Sequence, residues 1–336
     1  MNPSLLELCY KIPKAELHLH IEGTFEPELM FKIAKRNNIT LPYKSVEELK
    51  EKYKFKNLQE FLDIYYQGCN SLIKEEDFSD LAFDYLEHAC PQGLKYAEIF
   101  FDPQSHLSRG ISFKTIITGL KHGLDKGKEK YGFEYKLIMC FLRHLPEEDA
   151  IKTLQEAIPF KNDILGVGLD SSEVGFPPEN FKNVYEMARK EGFELVAHAG
   201  EEGPAEYIKS ALDCLKIKRI DHGVRIVEDE TLVERAAKEQ IPLTMCPLSN
   251  QRLQVCPDLK NYKLKEMMAK GLLCTINSDD PSYFGGYIGD NYKAVVEHLG
   301  LTKENVIQLA KNSFIATFLT EEEKKKYIED INKYDV

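Results

Sequence analysis

Nowhere in this chain do two cysteines form a CxxC pair. The eight that occur, at positions 9, 69, 90, 140, 214, 246, 256 and 274, are scattered, and several fall in apolar, strand-like runs. That argues against a zinc knuckle or a disulfide framework and for buried free thiols in a reducing cytoplasm. No apolar run approaches the roughly 18 residues that span a bilayer, so no membrane segment is expected. The opening "MNPSLLELCYKIPK" lacks the basic segment and long apolar stretch of a secretory signal. Basic clusters are missing too. The net charge is −11 and lysines are intermixed with acids, which excludes an electrostatic footprint for nucleic acid or an anionic membrane. There is no fixed-period repeat, no low-complexity tract and no linker-like stretch. What remains is 336 residues that are 43% hydrophobic, enough for two ordinary domains or one large α/β barrel.

After residue 90 the sequence becomes regular. Short apolar runs recur at "LKYAEIFFDP" (94–103), "FEYKLIMCFLR" (133–143), "ILGVGLDSSE" (164–173) and "FELVAHAGE" (193–201). Three more follow at "KRIDHG" (218–223), "IPLTMCPLSN" (241–250) and "LLCTINSDDP" (272–281). Helical periodicity separates them, as in "FKTIITGLKHGLDKGKEKY" (113–131) and "DETLVERAAKEQ" (229–240). With "KAELHLHIEG" (14–23) as the first, the count is eight strands. Strands alternating with helices form parallel βα units, and eight of them in this length predict a (β/α)8 TIM-type barrel. A doubly wound open sheet is the alternative, but no GxGxxG follows the first strand. The first connection, about residues 25–93, is too long for one helix. "EPELMFKIAKRNNI", "SVEELKEKY", "NLQEFLDIYYQGC" and "EDFSDLAFDYLEHAC" predict a helical insertion, either a lid over the barrel mouth or a packed side unit. The last twenty or so residues read as an exposed helix.

Only nine histidines occur, and four of them fall at predicted strand ends. In "ELHLHIEG" the period of two places Glu16, His18, His20 and Glu22 on one face of a strand, where paired imidazoles can chelate a metal. Strand four ends in Asp170, Ser171, Ser172 and Glu173. Strand five ends in His198 and Glu201, strand six in Asp221 and His222, and strand eight in Asp279 and Asp280. Catalytic groups of such barrels gather at the C-terminal ends of the strands. Taken singly, each residue has an ordinary structural explanation; together they point to one mouth. His18, His20, His198 and Asp279 offer an N,N,N,O donor set suited to Zn²⁺, with Fe²⁺ and Mn²⁺ as alternatives. The "HIE" at 20–22 matches half of the small cytidine-type deaminase signature, but its PCxxC half is absent.

The set "ELHLHIEGT", "GLDSSEVG", "VAHAGEEG", "RIDHGVR", "CPLSN" and "NSDDP", in that order and across essentially the whole chain, resembles the adenosine/adenine deaminase family of metal-dependent amidohydrolases. The resemblance implies a (β/α)8 barrel holding one divalent metal on His18, His20, His198 and Asp279. It further implies Glu201 as proton donor to the purine N1, His222 as the group that orients and deprotonates the attacking water, and Asp280 as partner of N7. Binuclear relatives carry a carbamylated lysine at the end of strand four; "GLDSSEVG" has none, so a single metal is expected. Attack at C6 places electron density on N1, so Glu201 must be a neutral acid in the substrate complex, with a raised pKa.

The expected substrate is a small purine base. Deaminases acting on adenosine typically carry HxHxDG at strand one and a small Ala-Gly pair after the strand-four aspartate. Here those places hold Glu22 and Ser172-Glu173, bulk and carboxylate where a sugar would sit. This resembles the adenine deaminase branch, with conversion of adenine to hypoxanthine and ammonia in purine salvage. Adenosine and N6-substituted adenines are the alternative substrates. A purine-binding protein without turnover is the alternative from another class, disfavoured because it needs neither Glu201 nor His222. The sequence does not disclose the oligomeric state.

Overall fold

The computed structural model describes residues 3–334. Its strands are β1 (Lys14–Glu16), β2 (Leu94–Phe101), β3 (Glu134–Leu142), β4 (Ile164–Asp170), β5 (Glu194–Ala199), β6 (Arg219–His222), β7 (Leu243–Met245) and β8 (Cys274–Ile276). All pair in parallel and in sequence order. Helices connect them, giving the (β/α)8 barrel. The strands are short, buried on both faces and rich in Val, Ile, Leu and Phe, as parallel strands under a helical coat must be.

The first strand is shorter than its alternating pattern predicts. Regular pairing ends at Glu16, and Ile21–Thr24 is a 3₁₀ turn. The chain stays against the sheet between these points. Leu19 bridges Asp279 and His20 bridges Phe100. The seam between first and last strands is closed beyond their ends, where Asp279 N–H donates to the His18 carbonyl (3.0 Å) and His20 N–H to the Asp279 carbonyl (3.0 Å). The alternation fails because no face of this segment meets water; residues 13–25 are all buried.

The barrel interior is polar below the mouth. Arg219 and Glu98 form a wholly buried ion pair. Arg219 also donates to the Leu17 carbonyl (3.2 Å), and Glu98 accepts from Phe318 N–H (2.7 Å). Glu16 accepts from Tyr85 Oη (2.7 Å) and Ser278 N–H (2.9 Å). These bonds satisfy charges that would otherwise be costly inside a barrel.

Helix α1 (Pro3–Lys11) precedes β1. Between β1 and β2 run α2 (Pro27–Arg36), α3 (Val46–Glu51), α4 (Leu58–Cys69) and α5 (Glu75–Ala89). Ser45 and Asn57 cap α3 and α4 by accepting from Glu48 and Glu60 N–H. After β2 come a short α6 (Gln104–Leu107) and α7 (Phe113–Tyr131). Gly119, Gly123 and Gly127, one helical turn apart on α7, press against α5. A Cβ on them would lie 2.4 Å from the Glu75 carbonyl oxygen, 2.2 Å from that of Ser79 and 2.0 Å from Leu86 Cδ1. The absent side chains let the backbones meet, fixing α5 to the barrel. The last helix, Glu321–Asn332, is mostly exposed. All eight cysteines are free, but Cys90, Cys214 and Cys256 are half-buried rather than buried.

Gly123→Ala should force α5 away from α7 and destabilise the protein by about 1–3 kcal/mol, the usual range for overpacking. Urea unfolding checks this. An unchanged midpoint would mean that the two helices are not pinned at this crossing.

Candidate active site

The C-terminal ends of β1, β4, β5, β6 and β8 converge. His18, His20, His198, His222 and Asp279 are all buried there. His20 Nε2 lies 3.2 Å from His198 Nε2, and Asp279 Oδ1 lies 3.5 Å from His18 Nε2 and 3.6 Å from His20 Nε2. The opposite ring nitrogens are backed by polar groups. His18 Nδ1 is 2.8 Å from Thr244 Oγ1, which itself donates to Asp221 Oδ1 (3.1 Å). His20 Nδ1 faces Asp170 Oδ2 at 3.4 Å, and His198 Nδ1 faces Asp221 Oδ2 at 3.9 Å. Such backing orients metal-ligating imidazoles.

His18 Nε2 is buried without a hydrogen-bond partner. Ligand atoms of His18, His20 and His198 lie within 4.8 Å of one another. Burial lowers the pKa of His20, and lowers those of His198 and His222 far more, favouring the neutral imidazole that coordinates a cation. Three converging imidazole nitrogens, one of them orphaned, and a carboxylate form a site that fits a divalent metal ion.

Two of these residues have unusual backbones. His222 has φ 64° and Asp279 φ 66°, and Ser171, at the end of β4, has φ 75°. Non-glycine residues seldom adopt this region. All three stand at a strand end, where the left-handed turn stops the ladder and re-aims the side chain.

Glu201 and His222 face each other, with Oε2 and Nε2 3.5 Å apart. His222 Nε2 is also 3.6 Å from Asp279 Oδ2. Glu201 Oε1 is buried without a partner. Burial, reinforced by the charges of Asp279 and Glu173, pushes Glu201 well above the ordinary carboxylate range. Asp280 is buried with Oδ1 unpartnered, and its carboxyl group lies over Gly23, where a Cβ would come within 1.8 Å of Oδ1. Only glycine at 23 leaves that space.

These groups form the floor of a narrow cavity at the barrel mouth. Helix α4 lays Phe61, Leu62 and Tyr65 over it, and Leu253 and Phe284 complete an apolar wall.

Three sequence-predicted residues sit elsewhere. Ser172 lies outside the cavity and donates to Gln59 of α4 (3.1 Å); its neighbour Ser171 lines the cavity instead. Glu173 is buried with both oxygens engaged, accepting from the N–H groups of Gly200 (2.6 Å), Glu201 (3.0 Å), Glu202 (2.8 Å) and Gly203 (2.7 Å). Glu22 lies behind the cavity wall. Its Oε1 accepts from Asp102 N–H (3.1 Å) and lies 3.0 Å from His106 Nε2. Arg109 donates to His106 Nδ1 (2.6 Å), which leaves the ring proton on Nε2 for Glu22. Glu202, the neighbour of Glu201, accepts from Leu58 N–H at the start of α4 (3.4 Å). Sequence reasoning missed Asp102, which directly follows β2 and lines the cavity with Asp170.

The family model described as "Adenosine deaminase" matches residues 13–334. The chain belongs to the adenosine deaminase family. Within it, the chain is 57% identical over 333 residues to an adenine deaminase of Acinetobacter baylyi, covering 99% of this chain and all of that one. An adenine deaminase of Zymomonas mobilis is 56% identical over 331 residues, 98% of each chain. The crystal structure of an adenine deaminase from Arthrobacter aurescens superposes with a TM-score of 0.95 at 46% identity, covering 96% of this chain and 99% of that one.

Glu173→Gln should destabilise the protein by about 1–3 kcal/mol, because the amide has one acceptor oxygen for four donors and its NH₂ would oppose some of them. Thermal unfolding measures this. A variant as stable as the parent would show that water replaces the clamp.

Proposed function

We propose that this protein hydrolyses adenine to hypoxanthine and ammonia, using one divalent metal ion, with zinc the best match to the donor set. The supporting observation is the placement of Glu201, with one oxygen unpartnered and its pKa raised by burial, beside His222 and the histidine cluster in one cavity. His18, His20, His198 and Asp279 would hold the ion. When bound, a divalent cation lowers the pKa of water towards about 7 and so supplies a nucleophile at neutral pH.

The side chains divide the remaining work. His222, a buried neutral imidazole near Asp279, is placed to accept the proton of the attacking water and to orient its lone pair towards C6. Glu201 enters as the acid. Its carboxyl proton passes to N1 as attack loads electron density there, which a carboxylate could not do. His222 then gives its proton to the amino nitrogen, which leaves as ammonia, and the added hydroxyl returns a proton to the Glu201 carboxylate as it becomes the 6-oxo group. Asp280 faces N7, held over Gly23. The apolar roof from α4 receives the purine face and excludes bulk water, which strengthens each of these polar contacts. The chemistry concerns one small base and requires no macromolecular partner.

The deciding experiment follows the ultraviolet conversion of adenine to hypoxanthine by the metal-loaded enzyme, with adenosine as comparison. We expect kcat/KM for adenine at least about 10³-fold above adenosine, since a site built to hydrogen-bond the free base rejects an analogue lacking the donor. Equal rates, or preference for adenosine, would refute the base-specific reading; no turnover of either would support a binding protein.

Glu201→Gln should retain one equivalent of metal and the fold but lower kcat by about 10²–10⁴, the usual worth of a positioned general acid. Glu202→Gln should be far milder. The reverse order in steady-state assays would reassign the acid.

A further inference from the structure

If the substrate is the free base, something must recognise the edge that a nucleoside blocks. The residues first considered for this are otherwise engaged. Both Glu173 oxygens are taken by the backbone of 200–203, Ser172 points to Gln59 outside the cavity, and Glu22 stands behind the wall. Among the cavity-lining carboxyl groups, Glu201 and Asp280 have their places at N1 and N7, and Asp170 lies against His20. That leaves Asp102.

Asp102 is 3% exposed; its Oδ1 meets no N–H or hydroxyl donor, and its carboxyl group lies against that of Asp170. The rest of the residue is fixed from both sides. Tyr65 of α4 donates to Oδ2 (3.1 Å), and Glu22 accepts from the backbone N–H (3.1 Å). Glu22 is in turn held by His106 and, through it, Arg109. A buried carboxyl group that lines the cavity, is held this firmly and has one oxygen unmet by an N–H or hydroxyl donor is suited to bind a ligand donor. Its position around the mouth agrees with the purine perimeter. From N1 at β5, through C6 over the histidines to N7 at β8, the perimeter continues to C8 and N9; the barrel continues from β8 through β1 to β2, where Asp102 directly follows the strand.

We propose that Asp102 is a specificity-determining residue that accepts a hydrogen bond from N9–H of the free purine base, and that Glu22 acts through it as a positioning residue. This rests on the adenine reading above. A substituent on N9 removes the donor and leaves Oδ1 buried against carbon. The carboxylate inherited at position 22 therefore discriminates against nucleosides without touching them.

The test compares adenine with 9-methyladenine, which lacks the N–H but adds only one methyl group. Metal-loaded wild type, Asp102→Ala and Asp102→Asn are assayed on both. Binding of the products hypoxanthine and 9-methylhypoxanthine, which are not turned over, is measured by calorimetry. Wild type should favour adenine by at least about 10³-fold in kcat/KM, in keeping with sites built around a ligand donor. Asp102→Ala should bring that ratio below about 10, mainly by losing adenine activity, with metal content unchanged and the Kd ratio of the two products collapsing in parallel. Asp102→Asn retains an acceptor oxygen and should keep most of the discrimination.

Equal loss on both substrates in Asp102→Ala, with both ratios intact, would overturn the assignment and make Asp102 a support for His20. Wild-type enzyme that accepts 9-methyladenine as readily as adenine would overturn it even if the alanine variant failed to fold. Inactive wild type would instead refute the deaminase reading, and the Kd ratios would still judge Asp102.

Discussion

Two backbone hydrogen bonds across the seam between the first and last strands organise this molecule. Asp279 N–H reaches the His18 carbonyl and the Asp279 carbonyl receives His20 N–H. A parallel barrel has to close, and this one closes past the ends of β1 and β8, through the residues whose side chains make the donor set. Ring closure and site assembly are thus one event. The left-handed backbone of Asp279 belongs to the same economy of form. Such conformations cost of order 1–3 kcal/mol and persist only where surroundings over-determine them. Here the seam supplies that determination, and His222 and Ser171 repeat the device at two other strand ends.

Around the mouth and in the barrel beneath it, the buried acids fall into two kinds. Glu16, Glu98 and Glu173 have their oxygens met by hydroxyls, backbone N–H groups or Arg219. They are structural, and their removal would leave orphaned donors. Glu201, Asp102, Asp170 and Asp280 each keep at least one oxygen unpartnered, and all four line the cavity. Burial drives them towards the protonated form, Asp102 to about 8 and the other three well above the carboxylate range. Unsatisfied polar atoms are rare in folded proteins and expensive, so their gathering around one cavity marks these four as candidate functional acids, although Glu22, Asp221, Asp84 and Glu194 also keep one oxygen unpartnered away from it.

How much of this could be read from the sequence depended on what sets each side chain's direction. Strand ends set His18, His20, His198, His222 and Asp279, because a barrel sends every strand end to one mouth; eight apolar runs were enough to place them. The same rule could have found Asp102 after "LKYAEIFF", where the aspartate before Pro103 reads equally well as a turn residue. Glu22, Ser172 and Glu173 were not legible in this way. They lie in loops, where a side chain is aimed by whichever partners happen to be near: backbone N–H groups 27 to 80 residues away for Glu173 and Glu22, and the Gln59 side chain, 113 residues away, for Ser172. Proximity in sequence to a ligand placed them near the site; it could not say which side of the wall they face. The alternation in "ELHLHIEG" misled for a related reason. It suggests one wet face, but the roof and barrel leave none, and polarity there reflects internal hydrogen bonding.

The roof and the acid are mechanically linked. Glu173 gathers the N–H groups of 200–203 and so sets the backbone from which Glu201 projects. Glu202, in the same loop, receives the N–H of Leu58 at the start of α4. Further along that helix, Gln59 accepts from Ser172 and Tyr66 donates to Ser171 (2.9 Å), both in the loop that leads to Glu173. Tyr65, on the inner face of α4, holds Asp102. The helix that closes the cavity therefore bonds to the loops after β2, β4 and β5. At the base of the insertion, the glycines of α7 hold α5 by close backbone packing, while α4 is held through a few polar bonds and its apolar face. Rigid docking at α5 and lighter, polar attachment at α4 make the cavity cover the part of the insertion whose position is most directly shared with Glu201. A displacement of α4 would be felt first by the Glu201 loop and by Asp102.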